Sequence, residues 1–175
     1  VIKDRHVAKD RQQEIQAYDG TVKFFPWDQH DRLRAHAYLP VIRSYAPYPQ
    51  FSEDISKVLF TGWSVTYLLL QLAYFAGARV VYLVGVDGTY PVPRPEQVDA
   101  VVVAEGPDTN HFDAEYFGPG KRYHQPQRAR VEAAYECAKN VFEAAGGCIW
   151  NATLGGELEV FPRVSLSGLV PGAAT

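Results

Sequence analysis

The side chains best suited to chemistry gather in two stretches of this sequence. The first is rich in histidine and tyrosine: Asn110-His111-Phe112, Tyr116-Phe117-Gly118 and Arg122-Tyr123-His124. An imidazole takes up a proton near neutral pH, so His111 and His124 are candidate general bases. Tyrosine hydroxyls and a guanidinium suit phosphate or carboxylate oxygens, which makes Tyr116 and Arg122 candidate ligands of an oxyanion. The second stretch is Gly85-Val86-Asp87-Gly88-Thr89-Tyr90. A carboxylate at the end of a buried strand needs a partner or a ligand, so Asp87 is a third candidate catalytic group. Its ordinary alternative is to cap neighbouring backbone N–H groups. His111, Asp113 and His124 have no established metal-ligand spacing, and the metal content stays undetermined. His6, His30 and His36 lack such surroundings and read as surface residues.

These groups need a scaffold, and residues 57–87 supply its clearest part. Residues 55–60 read as a strand, broken by Thr61-Gly62. Residues 64–76 are apolar nearly all round, the pattern of a helix buried on most faces. Gly77 supplies its stop. Residues 80–86 are a continuous apolar β run, as in a central parallel strand covered on both faces. A membrane helix over residues 65–86 would be long enough, yet Gly77-Ala78-Arg79 puts a break and a charge near its middle. Strand, helix and strand therefore form a crossover unit, whose ligands bind outside the carboxyl ends of the strands. That rule makes Thr61-Gly62-Trp63-Ser64 a candidate phosphate seat, with Gly62, Trp63, Ser64 and Thr66 at the helix N-terminus. The turn is neither a P-loop nor a dinucleotide fingerprint. The plainer reading is that Gly62 permits the turn and Ser64 caps the helix.

Elsewhere, residues 7–17 read as a polar helix and residues 21–25 as a β run. Residues 27–51 read as irregular chain, with a strand at 41–45. Residues 88–125 are long for a plain connection and suit an active-site loop or lid, with a hairpin strand at 98–104. Residues 126–145 form an amphipathic helix with Val131, Ala134, Tyr135, Ala138, Val141, Phe142 and Ala145 as its stripe. Residues 148–151 are a short buried strand. One domain over 1–169, with a frayed tail at 170–175, accounts for the whole.

The 175 residues carry a formal charge of −3 with no basic block, which argues against nucleic acid as a partner. Two cysteines without disulfide or zinc spacing point to a reducing, cytoplasmic setting. No transmembrane segment is expected, and the sequence leaves a homo-oligomer open.

Taken in order, several of these segments resemble one family. Gly62-Trp63-Ser64-Val65-Thr66, Gln71-Leu72-Ala73-Tyr74 and Tyr82-Leu83-Val84-Gly85-Val86-Asp87 look like the core of the MptE-like family, also known as domain of unknown function 115. His111-Phe112, Tyr116-Phe117, His124 with Pro126, Asn151-Ala152-Thr153 with Gly155-Gly156, and the segment from Leu158 to Val164 extend the likeness. The resemblance implies a Rossmann-like α/β fold, an open and mostly parallel sheet with helices on both faces. Its relatives are bacterial sialyltransferases and the central domain of motility accessory factor glycosyltransferases. Archaeal members are 6-hydroxymethylpterin diphosphokinases using ATP and magnesium, whereas many bacterial ones resemble surface-polysaccharide enzymes.

By the same resemblance, His124 is the general base on an acceptor hydroxyl, Tyr90 contacts the nucleotide phosphate, and Asn151 joins the nucleotide site. Family members usually open with a strand and a glycine turn that help hold the nucleotide, and these are expected ahead of Val1. Trp63 stands where many members have a small residue, and Gly88 where a larger polar one is common. The first expectation is a sugar-nucleotide glycosyltransferase of surface glycan biosynthesis. The second is a pterin diphosphokinase in which Asp87 helps bind magnesium, and the third a non-catalytic nucleotide-binding or assembly domain.

Overall fold

The structure is a computed structural model that describes residues 1–89, 101–108, 116, 118–125 and 127–169. Its elements run α1 (Arg5–Asp10), α2 (Gln12–Ala17), β1 (Phe24–Pro26), β2 (Ala37–Leu39), β3 (Val41–Ile42) and β4 (Leu59–Phe60). Then follow α3 (Val65–Phe75), β5 (Val80–Leu83), β6 (Val101–Val103), β7 (Arg122–His124), α4 (Arg128–Ala144) and β8 (Cys148–Asn151). The chain is thus mixed α/β. Its described strands form two-stranded sheets: β1–β2, β3–β4 and β5–β8 are parallel, and β6–β7 is antiparallel. Strand–helix–strand order holds over residues 57–87. However, β4 and β5 pair with β3 and β8, and not with each other.

Helix α3 begins where Ser64 Oγ accepts a bond from Thr66 N at 3.1 Å, and ends in a Schellman pair. There Ala78 N donates to Ala73 O and Gly77 N to Tyr74 O, at 2.9 and 3.0 Å. α4 follows its expected stripe: Val131, Ala134, Tyr135, Ala138 and Phe142 are buried, while Ala145, just beyond it, is exposed. The main core joins this stripe to Tyr67 and Leu70 of α3, Leu83 of β5, Ile149 of β8, and Leu158 and Phe161. Each large apolar side chain buried there stabilises the fold by about 1.5–3 kcal/mol. Smaller clusters hold β2, β4 and α3 together through Leu39, Leu59 and Leu68, and fix α1 to β1 through Ala8 and Phe25.

Several expectations change, and the strands expected at 41–45 and 80–86 shorten to Val41–Ile42 and Val80–Leu83. The strand expected at 55–60 shrinks to Leu59–Phe60, because Asp54 Oδ1 takes up both N and Oγ of Ser56 in a local turn. The helix expected at 7–17 breaks at Arg11 into two short pieces. β5 is covered on one face only: Leu83 is buried, whereas Val80, Tyr82 and Val84 are exposed. An unbroken apolar run marks a strand as β-forming, but it does not supply the second layer that would cover it. Of the strand expected at 98–104, Val101–Val103 form β6, whose register pairs Val101 with His124, and residues 98–100 lie outside the described residues. No helix among the described residues is long and apolar enough to cross a membrane. Both cysteines are free and half-buried.

Candidate active site at the carboxyl ends of the strands

Polar side chains tie together the carboxyl ends of β1, β3 and β4. After β1, the Asp28 carboxylate receives Arg5 Nε at 2.7 Å and Arg43 Nη2 at 3.1 Å. Arg43 follows β3, and its Nη1 donates to Lys3 O at 2.7 Å. Thr61 ends β4; its N–H donates to Ile42 O at 3.3 Å and its hydroxyl to Arg43 O at 3.4 Å. Lys3 lies between Asp4 and Arg43. Burial pushes its ammonium down to about 8, Asp4 opposes the shift, and Arg43 adds to it.

Asp4 holds the group of greatest chemical interest. Its Oδ1 caps α1 by accepting from His6 N and Val7 N at 2.7 and 3.3 Å, and its Oδ2 lies 2.9 Å from His124 Nδ1. Burial disfavours the Asp4 charge. The bonds from His124, His6 and Val7 outweigh it and hold the carboxyl below the ordinary range. A carboxylate on Nδ1 fixes the tautomer and leaves Nε2 as the free basic nitrogen. Among the described residues Nε2 has no partner, and the His124 side chain is 47% exposed. The His6 ring stands 5.4 Å from the His124 ring, so His6 belongs to this cluster and is not an isolated surface residue.

The rest of this hairpin is docked on α1. Arg122 forms a two-pronged ion pair with Asp10, and this bond holds the Asp10 carboxyl below its usual range. The Arg11 guanidinium covers the Tyr116 ring at 5.1 Å. In this arrangement Arg122 and Tyr116, both expected to bind oxyanions, are engaged by the protein itself.

The Gly62–Ser64 turn is tightly built. Gly62 has φ +49°, and a Cβ there would stand 2.5 Å from Tyr67 Cγ. Trp63 takes φ +59°, a left-handed conformation that costs a bulky residue about 1–3 kcal/mol. Ser64 Oγ also lies 2.9 Å from the hydroxyl of the buried Tyr135. Burial raises that phenol's pKa, against the bonds to Ser64 and Thr66. The Arg130 guanidinium stands 5.0 Å from the Trp63 ring and 5.8 Å from Tyr48. It has no acidic partner among the described residues, so a cation is offered beside the α3 N-terminus. His124 and Arg130 are six positions apart in sequence, a span of at most about 21 Å.

The other strand ends read as structure. Asp87 Oδ1 accepts from Thr89 N at 2.8 Å, and Asp87 O accepts from Glu157 N and Leu158 N at 2.6 and 2.8 Å. Gly156 lies against it so closely that a Cβ would meet Asp87 O at 2.5 Å. Asn151 is fully buried; its amide donates to Leu158 O at 3.3 Å and Val86 O at 3.5 Å, and its oxygen accepts from Thr153 N at 3.0 Å. Arg163 donates to the carbonyls of Thr153, Gly155, Gly156 and Leu158 and so fixes the loop after β8. Among the described residues, no three metal-ligating side chains converge. His111 and Tyr90 lie outside the described residues.

Of the residues singled out from the sequence, His124, Gly62, Trp63, Ser64 and Thr66 lie in the two clusters described above, whereas their neighbours Lys3, Asp4, Asp28, Arg43 and Arg130 were not singled out. Asp4 carries a readable signal, since an aspartate ahead of a helical run is a preferred cap. The others carry none, because surface arginines are common and their partners are remote in sequence. Comparison with known protein families, curated proteins and solved structures finds no match to this chain.

Proposed function

We propose that the chain is a nucleotide-dependent group transferase on a Rossmann-like scaffold, most simply a glycosyltransferase that uses a sugar nucleotide. The observation that carries this reading is the Asp4–His124 pair, a half-exposed imidazole with its Nδ1 held by a carboxylate. Such a pair is built to take a proton from a hydroxyl at Nε2, and a positioned base contributes about 10²–10⁴ in rate. Support for the donor side comes from the α3 N-terminus and Arg130, which together suit the phosphates of a nucleotide. The three parallel strand pairs, with these groups at their carboxyl ends, support the scaffold. The ordered resemblance to the MptE-like family points the same way.

In the transfer, Nε2 of His124 accepts the acceptor's hydroxyl proton as its oxygen attacks the anomeric carbon. The bond from that carbon to the nucleotide phosphate breaks, and the phosphate leaves toward Arg130 and the helix N-terminus. Asp4 keeps the imidazole oriented and stabilises its charge once protonated.

Thermal-shift measurements with CMP, CDP, UDP and ATP, each with and without magnesium, test this reading. A ligand at a hundred times its dissociation constant stabilises by about 2.7 kcal/mol. Metal-free stabilisation by a pyrimidine nucleotide supports the transferase. Stabilisation by ATP only with magnesium would replace it with a diphosphokinase, and no response to any nucleotide with a non-catalytic domain.

A further inference from the structure

Trp27 opens a single 3-10 turn (Trp27–Gln29) directly after β1, and the next residue, Asp28, pairs with Arg5, the neighbour of Asp4. It is 62% exposed, unusually open for a tryptophan. Its ring is nevertheless held in place. The His30 ring stacks on it with centroids 5.3 Å apart and planes 22° apart, and the Tyr38 ring meets it edge-on at 6.0 Å. His30 is itself fixed, with Nδ1 donating to Trp27 O at 2.8 Å and Nε2 2.9 Å from Asp31 Oδ1. The indole N–H has no acceptor among the described residues. The result is a rigid aromatic surface, open to solvent, with an unused donor at its edge.

Its position relates it to the base. The next residue, Asp28, holds Arg43; Arg43 bonds the Lys3 carbonyl; and Lys3 precedes Asp4, which holds His124. A lone exposed aromatic carries little meaning. A ring packed by two neighbours, and followed by a residue whose contacts lead through Arg43 and Lys3 to Asp4 and the candidate base, is a different object.

We propose that Trp27 is the floor of a subsite for a pyranose ring, the acceptor sugar of the transferase reading on which this inference rests. The apolar C–H face of a sugar stacks on an indole, and the hydroxyls at its rim reach charged side chains. Asp31, exposed beside His30, and the indole N–H itself supply such partners. Arg130, stacked on Trp63, is left for the donor's phosphate.

Binding of the full chain to an array of immobilised oligosaccharides, with wild type, Trp27→Ala and Trp27→Phe compared, tests this. The expected result is binding of at least one glycan by wild type, weakened about tenfold or more in W27A and partly retained in W27F. Thermal shifts with UDP and CMP should be the same in all three proteins, since the donor seat is elsewhere. Absence of any glycan binding by wild type, or equal binding by W27A, overturns the subsite. Glycan binding through Trp27 in a protein that no nucleotide stabilises keeps the subsite and removes the transferase.

Discussion

Asp4 Oδ2 and His124 Nδ1 lie 2.9 Å apart across 120 positions of sequence, and the same carboxylate caps the first helix with its other oxygen. One side chain therefore anchors α1 and orients the candidate base. Replacing Asp4 with Asn should cost about 1 kcal/mol or less through the cap, since Asn also caps well, but should release the His124 tautomer. Nitrogen-detected NMR of the imidazole checks this. Wild type should show Nδ1 protonated and Nε2 bare when neutral, and D4N a mixture of the two forms.

The same pair sets an acid limit. The Asp4 carboxyl is held below its ordinary value in the folded chain, so its contribution to stability is present above the unfolded value of about 4. That contribution is lost as pH falls through the lower, folded value. Urea unfolding at a series of pH values should show wild type ahead of D4N at pH 6, with the gap closing on acidification below the unfolded value.

At the α3 turn, Gly62→Ala should destabilise by about 2–4 kcal/mol, because the methyl group enters the Tyr67 ring and φ is positive. Denaturant unfolding measures it. A cost under about 0.5 kcal/mol, the size of an ordinary surface change, would show that the turn is not built as described.

Arg130 stacks on Trp63 and Tyr48 but pairs with no described acid. Arg130→Ala should leave the melting temperature within a degree or two while weakening nucleotide binding about tenfold, the effect of one lost charged hydrogen bond. Calorimetric titration with UDP separates the two. Equal affinity in both proteins would remove Arg130 from the donor site.

How far the sequence foretold this arrangement depended on the range of the interactions involved. α3, α4 and β8 were legible because their signals are local: a serine cap before an apolar run, a stripe at helical spacing, and paired glycines after it. The Gly62 turn was legible for the same reason. The Asp4–His124 and Asp28–Arg43 pairs were not, since no local pattern tells a charged side chain which distant partner it will meet. Asn151 and Asp87 show a different limit. A polar residue at a strand end has the chemistry of a ligand-binding group, but here neighbouring backbone groups take up its hydrogen bonds. The exposed face of β5 marks a further limit, because periodicity reports what a strand is made of and not how many layers cover it.

The central claim is that His124, oriented by Asp4, deprotonates an acceptor while a nucleotide leaves from the α3 seat. The most direct measurement is nucleotide release from a panel of CMP- and UDP-sugars by wild type and His124→Ala, with donor affinity measured in parallel. The account predicts turnover of at least one donor by wild type, a fall of about 10²–10⁴ in H124A, and unchanged donor affinity. Full turnover by H124A, or no turnover of any donor by wild type, would contradict it.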